Sequence, residues 1–435
     1  MRGLLVAAAF AANVAAPAFA LDRTEQAMIA AVDRETVRGE QLLEKLVNVN
    51  SGTMNLPGVT QVGQMMRAEL EGLGFTVRWV PMEKVGRAGH LVATHTGQQS
   101  SGGKRMLLIG HLDTVFELAS PFQTYKVLSP GVAQGPGVND MKGGLVVMVQ
   151  ALRAMKEAGA LKDAHITIVL TGDEERVGAP RNVSREELVA AARASDLALE
   201  FEGLARDNGV DHGSIARRSS SGWTVRTTAR SGHSSAIFGQ DAGDGAAYEL
   251  ARIIADFRKE LPEPNLTFNV GLMLSGESVT LDQTDTGGSA TGKSNVIPPV
   301  GIAEGDMRTL SNEQTERVRE KMKAIVARHL NGTHAEIQFT DGYPAMPPTE
   351  GSRAILARLN AINKEMGLPV MPELDPLKRG AGDIAYVSHI VDGLIGLGAA
   401  GEGSHAPGET VDLKSLPLQA KRAAILMYRL SKEKR

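Results

Sequence analysis

The chain has 435 residues, 42% of them hydrophobic and 22% charged, with a formal charge of −3 and no cysteine. That length allows two or more domains with ample core. The missing thiols exclude thiolate metal sites, cysteine nucleophiles, lipoprotein anchoring and disulfides, and with no long basic run nucleic acid is not an expected partner.

Residues 1–20 read as a signal peptide to be set apart from the fold. Met1-Arg2 is a short basic start, Leu4 to Ala15 is almost entirely apolar, and Ala18-Phe19-Ala20 has the small-x-small form of a cleavage site. An abrupt polar run, Asp22-Arg23-Thr24-Glu25-Gln26, follows. Export, most simply to a bacterial periplasm, is therefore expected. No membrane contact is expected after cleavage, because no other segment approaches the roughly 18 apolar residues of a span.

From Asp22 to Val49, apolar residues recur at helical spacing (Met28, Ile29, Val32, Val37, Leu42, Leu43, Leu46) and predict one amphipathic helix. Thr60–Glu71 predicts a second, stopped at Gly72 and Gly74. Short apolar runs at Phe75–Pro81, His90–His95, Arg105–Ile109, His165–Leu170 and Asp196–Phe201 predict strands. Helices at Gly143–Ala158 and Ser184–Ala194 fall between them. Such alternation indicates an α/β domain with a mixed, largely parallel sheet, whose active site gathers beyond the carboxyl ends of strands.

The pattern changes near Gly213. A strand at Trp223–Ala229, a helix at Gly245–Arg258 and a strand at Thr267–Leu274 come first. A strand within Asn295–Arg308, a helix at Ser311–Leu330 and a strand at Glu336–Thr340 follow. This β-α-β-β-α-β order suggests a ferredoxin-like domain. Signals like those of the first domain resume at Thr349–Met366. The simplest organisation is a catalytic domain in two parts, 21–212 and 344–435, interrupted by an insertion at 213–343. Thr284–Thr291 reads as a flexible loop.

Candidate chemistry lies at element ends. His111 and Asp113 close an apolar strand, where an imidazole can bind metal while a carboxylate steadies its other nitrogen. Asp140 lies in Gly135-Pro136-Gly137-Val138-Asn139-Asp140-Met141-Lys142-Gly143-Gly144, whose glycines allow tight turns and close backbone approach. That loop lacks the Gly-Lys-Ser/Thr ending and the Gly-x-Gly-x-x-Gly spacing of nucleotide sites. Asp173-Glu174-Glu175 follows a buried strand; one glutamate can ligate while its neighbour takes a proton from water. Glu200 and Glu202 share a strand face, so alternation does not choose between them, although Glu202 lies nearer the strand end. His405 sits on a loop after the apolar run Leu394–Leu397. Together these suffice to hold two divalent metals.

At this point the sequence resembles the zinc-dependent aminoacylase and carboxypeptidase G family, with acetylornithine deacetylase and succinyl-diaminopimelate desuccinylase as relatives. The resemblance rests on Gly110-His111-Leu112-Asp113-Thr114-Val115, the Gly135–Gly144 loop, Asp173-Glu174-Glu175, Phe201-Glu202-Gly203 and Gly403-Ser404-His405, in family order. It implies a dizinc peptidase catalytic domain, with cobalt or manganese as possible substitutes. Asp140 would bridge the two ions; His111 and Glu202 would complete one site, Glu175 and His405 the other. Glu174 would be the general base, and Asp113 would orient His111. The peptide bond after Asp140 would be cis. The inserted domain, residues 213–343, would be a lid and homodimerisation domain. Its His233 would stabilise the oxyanion, often in the partner's active site, while Asn295 and Arg308 would hold a substrate carboxylate. Two stretches follow the family pattern poorly, Arg217–Gly222 and Lys378–Asp383.

The expected activity is therefore amide hydrolysis in a peptide or N-acyl amino acid with a free C-terminal carboxylate, C-terminal glutamate being one option. A deacylase of small N-acyl amino acids is the nearest alternative. An exported, non-catalytic solute-binding protein would explain the signal and the domain pair but not the clustered ligands.

Overall fold

The computed structural model describes residues 21–98, 102–282 and 287–435. The expected signal peptide lies outside the described residues, as do Thr284–Thr286 of the expected loop.

Three helices open the chain: α1 (Arg23–Arg34), α2 (Thr36–Val47) and α3 (Leu56–Leu73). The single helix expected over Asp22–Val49 is thus two, broken at Glu35. The Glu35 carbonyl, which accepts the Gly39 N–H at the start of α2, also accepts from Gln150, and the Glu35 carboxylate accepts from Arg153. Gln150 and Arg153 are both more than a hundred residues away, so periodicity could not reveal the break. Next come β1 (Thr76–Met82), β2 (Arg87–His95), β3 (Arg105–His111), β4 (Lys126–Ser129), β5 (Val132–Gln134) and α4 (Lys142–Glu157). They are followed by β6 (His165–Thr171), α5 (Arg181–Ser184), α6 (Glu186–Arg193), β7 (Leu197–Glu200), β8 (Ala205–Asp207) and β9 (Val210–His212).

The main sheet has the order β1-β2-β6-β3-β7 and ends on a short strand near the C-terminus, Gly393–Ile395. From β6 outward to that last strand the pairings are parallel, while β1 and β2 are antiparallel additions. Alternate residues face opposite layers. Met106 and Leu108 join the core beneath α1–α4, whereas Leu107 and Ile109 pack with Leu188 and Ala192 of α6 on the other face. Strands buried on both sides read as continuous apolar runs, which is why they were legible.

The inserted domain forms its own sheet. β10 (Ser220–Ala229), α7 (Ala246–Glu260), β11 (Thr267–Phe268), β12 (Leu272–Gly276), β13 (Ser278–Leu281), β14 (Gly288–Thr291), β15 (Val300–Arg308), α8 (Asn312–Val326) and β16 (Thr333–Tyr343) follow in order. β15 and β10 are central, flanked by β11 and β12 on one side and β16 on the other. Trp223, Val225, Ala303 and Met307 of the sheet pack with Leu250, Phe257, Val318 and Met322 of the two helices as a separate core. Part of the expected loop is instead the β13–β14 hairpin, with Val279 opposite Ala290 and Thr280 opposite Ser289. Small polar residues gave it no apolar alternation to read.

The chain then returns through α9 (Glu350–Glu365), β17 (Gly393–Ile395), β18 (Gly401–Glu402), β19 (Thr410–Asp412) and α10 (Ser415–Lys432). The small sheet β18-β19-β5-β4 lays the 401–412 segment beside the loop that follows β5. A cavity-free seam joins α4 to β7: a Cβ on Gly144 would stand 1.8 Å from the Phe201 carbonyl oxygen. Gly144→Ala should therefore lower stability by about 1–3 kcal/mol through overpacking. Urea unfolding reads this as a lower midpoint; an unchanged midpoint would mean that the seam is slack.

Candidate metal centre

Three parallel strands deliver three groups to one edge. β3 ends at His111, β6 opposite it at Thr171 just before Gly172-Asp173-Glu174-Glu175, and β7 ends at Glu200 just before Phe201-Glu202. The small sheet brings the two remaining groups, Asp140 and His405.

The imidazole of His111 is buried, its Nε2 lying 3.2 Å from Asp140 Oδ1 and 3.4 Å from Glu202 Oε1. His405 Nε2 lies 3.2 Å from Asp140 Oδ2 and 3.2 Å from Glu175 Oε2. Asp140 thus turns one oxygen to each histidine. The ligand atoms of His111, Asp140 and Glu202 lie within 4.8 Å of one another, as do those of Asp140, Glu175 and His405. His111, Glu174 and Glu175 form a further such group. The Asp140–Met141 peptide bond is cis.

Of the two candidate glutamates, Glu202 faces His111. Glu200 accepts from the Ile384 N–H at 2.9 Å and lies 3.6 Å from Arg217. Asp113 does more than the sequence suggested. Its carboxylate is 3.5 Å from His111 Nδ1, but its backbone carbonyl is nearer, at 3.0 Å. The carboxylate accepts from the backbone N–H groups of Glu174 (3.0 Å) and Glu175 (3.1 Å) and from Thr53 Oγ1 (2.6 Å). It therefore positions the two glutamates as well as the imidazole.

The charge pattern is that of a site built for cations. Burial opposes a charge on His111, but Asp113, Asp140 and Glu202 outweigh it and hold its pKa well above the usual imidazole range. Hydrogen bonds to Asp140 and Glu175 push His405 up to about 11. Burial, with Asp140 adding repulsion, pushes Glu175 up to about 7. Burial also raises Glu174 well above the carboxylate range. Glu175 Oε1 is buried without a hydrogen-bond partner, an arrangement that normally costs about 1–3 kcal/mol unless something absent from the chain satisfies it. Carboxylate and imidazole donors in two triads suit zinc, so the donor set and this orphaned oxygen fit a pair of ions.

Other residues at the site were not legible as functional. Glu409 is fully buried and accepts from the backbone N–H groups of Gly137, Asn139 and Asp140 at 2.8–2.9 Å. Tyr343, at the end of β16, donates its hydroxyl to the Glu174 carbonyl. Arg217 and Arg379 line the same cavity of about 250 Å³ as Asp140, Glu174, Glu202 and His405. Only the poor fit of their stretches to the family pattern marked these two arginines in the sequence.

The lid residues lie elsewhere in this single chain. His233, Asn295 and Arg308 are not among those lining the cavity. His233 is exposed, with Nδ1 beside the Ser235 hydroxyl at 2.8 Å, and its strand-like contact with Val296 places it next to Asn295. Arg308 is half-buried and pairs with Asp306 at 3.1 Å.

Residues 107–429 match the model of peptidase family M20/M25/M40. The chain is 27% identical to carboxypeptidase G2 from Pseudomonas sp. (strain RS-16), over 99% of this chain and 98% of that one. Its fold is similar to that of a tripeptidase from Staphylococcus aureus, with a TM-score of 0.68 at 18% identity over 92% and 99% of the two chains. It is also similar to that of a dinuclear metal-binding M20 peptidase from Bacillus subtilis, with a TM-score of 0.63 at 15% identity over 91% and 98%.

In the metal-free protein the surrounding carboxylates favour the protonated form of both histidines of the centre. Metal ligation needs neutral imidazole, so those protons must leave. Zinc titration at pH 7 should release protons from these ligands, read calorimetrically in two buffers of different ionisation heat, and affinity should fall as pH falls. Zinc uptake with no proton release would contradict this charge pattern.

Proposed function

Because this chain belongs to peptidase family M20/M25/M40, a family of metal-dependent hydrolases, we propose that it is an exported dizinc amidohydrolase of carboxypeptidase type. Its substrate would be a peptide or N-acyl amino acid with a free C-terminal carboxylate. The observation that carries the reading is the sharing of Asp140 between two ligand triads.

His111, Asp140 and Glu202 would hold one ion, and Asp140, Glu175 and His405 the other. Bound zinc supplies Lewis acidity, lowering the pKa of water and polarising the scissile carbonyl. Glu174 lines the cavity and ligates neither ion in this assignment. Its carboxylate accepts the proton of the attacking water and then delivers it to the leaving amine. Its main chain is fixed at both ends, by Asp113 at the N–H and by Tyr343 at the carbonyl, so the side chain is pre-aimed for that shuttle.

His233 lies on the lid and away from its own chain's cavity. That supports its acting across a homodimer, on the oxyanion in the partner's site. Asn295, its neighbour in space, and Arg308 would hold the C-terminal carboxylate when the lid closes, the planar guanidinium making paired hydrogen bonds. Cobalt or manganese would substitute in the same donor set. A small-acyl deacylase would use the same centre, and rates on an N-acetyl amino acid and a dipeptide separate the two.

Glu174→Gln should retain two zinc ions and lose turnover by about 10²–10⁴-fold. His233→Ala should lose about 10²–10³-fold, as for one oxyanion donor. Mixing the two inactive variants should restore activity, because a mixed dimer holds one site with both groups intact. Full activity of Glu174→Gln sinks the base assignment, and failure of mixed dimers to recover sinks the action across subunits.

A further inference from the structure

Beside the expected metal ligands, the cavity contains a positive wall that the proposed mechanism does not use. Arg379 lines it with its side chain only 12% exposed. Its Nε is buried without a hydrogen-bond partner. The nearest carboxylate, Glu202, is 4.0 Å away and is also 3.7 Å from the better-placed Arg217. Arg217 also has an Nε without a hydrogen bond, but its Nη1 donates to the Ala381 carbonyl at 2.5 Å and its Nε lies 3.6 Å from Glu200. Arg379 has none of comparable quality.

The loop around Arg379 is anchored independently of that side chain. Lys378 Nζ binds Asp207 at 2.6 Å, Arg218 donates to the Leu377 carbonyl at 3.3 Å, and the Asp375 carboxylate caps Leu377 N–H at 2.9 Å. The loop that carries the guanidinium is therefore held at the cavity wall. A buried guanidinium with an unpaired donor is unfavourable unless an anion completes it. Glu202 cannot be that anion in the working enzyme, because its charge is directed to a cation beside His111. Glu200 and Asp140 favour its charge only from a distance, and a substrate carboxylate entering the cavity supplies the contact that they do not.

We propose that Arg379 is a specificity-determining residue that binds a second carboxylate of the substrate, distinct from the C-terminal carboxylate assigned to Asn295 and Arg308. The inference rests on the metallohydrolase reading above and narrows its substrate class to dianionic amides. The second carboxylate sits either on the side chain of the leaving amino acid or at the far end of the acyl group. Arg379 presents the same planar donor pair to both, and a bidentate carboxylate–guanidinium contact would engage the unpartnered Nε.

Two substrate pairs distinguish the sources: N-acetylglutamate against N-acetylglutamine, and N-succinylalanine against its terminal amide. Each pair exchanges one carboxylate for a neutral amide of the same shape. The zinc-loaded wild type should favour the dicarboxylate in one pair by about tenfold or more in kcat/KM, the size of a buried charge-assisted contact. Arg379→Gln should abolish that preference, mainly through KM, while leaving two zinc ions bound and costing the neutral-amide partner far less than the dicarboxylate. Arg379→Lys should keep part of the preference. The pair that loses its preference identifies the source. No preference in either wild-type pair, or an equal loss on all four substrates in Arg379→Gln, overturns the proposal. A zinc-loaded wild type that hydrolyses none of the four, nor a simple dipeptide, overturns the metallohydrolase reading instead, and this inference with it. Hydrolysis of the dipeptide alone overturns only the dianionic substrate class.

Discussion

Glu409 accepts three backbone N–H groups from the loop that carries Asp140, and most of the site depends on that contact. Asp140 has to present two oxygens in opposed directions, one to a histidine from β3 and one to a histidine from the loop between β18 and β19. A loop with those three N–H groups left free would not hold such a carboxylate still. Glu409 supplies the acceptors from the same β18–β19 connection that carries His405, so a single segment fixes both the bridging residue and its second partner. Burial pushes Glu409 up to about 7 even though its three N–H donors favour the ionised form. This charge would be hard to keep elsewhere in the core. Lys142, fully buried two residues after Asp140 and held by the Val49 carbonyl, is pulled down to about 7 by burial and interacts favourably with the Glu409 charge.

The metal-centre residues could be read from the sequence because they terminate apolar runs. His111 closes β3, Glu174 and Glu175 follow β6, and Glu202 follows β7, and strand ends are where α/β sheets put chemistry. The supporting residues could not be read so. Glu409 looks like a loop glutamate beside a loop histidine until β19 pairs with β5. Arg217 and Arg379 meet at the cavity only because the chain returns from the lid on the same side as it left. The short strands β4, β17, β18 and β19 carry too few residues to show a period. The α1–α2 break and the β13–β14 hairpin are set by distant partners and by backbone pairing, not by apolar spacing.

Charge organises the cavity from two directions. On one side, burial and repulsion among neighbouring carboxylates raise the pKa values of Glu174 and Glu175, a strain that cations relieve. On the other, Arg217 and Arg379 offer positive charge that the protein only partly consumes. Cations beside the first wall suit a metal-dependent hydrolase, and an anion beside the second is what the proposed acidic substrate would supply. His233, Asn295 and Arg308 of the inserted domain do not line the cavity of a single chain, so the proposed roles of these residues require lid closure or a second copy.

The central claim is that Asp140 bridges two metal ions. Crystals of zinc-loaded protein measured at the zinc absorption edge test it most directly. A bridged centre predicts two anomalous peaks about 3.5–4 Å apart, one between His111 and Glu202 and the other between Glu175 and His405, with an Asp140 oxygen on each. A single peak, or two peaks that do not share Asp140, would contradict it.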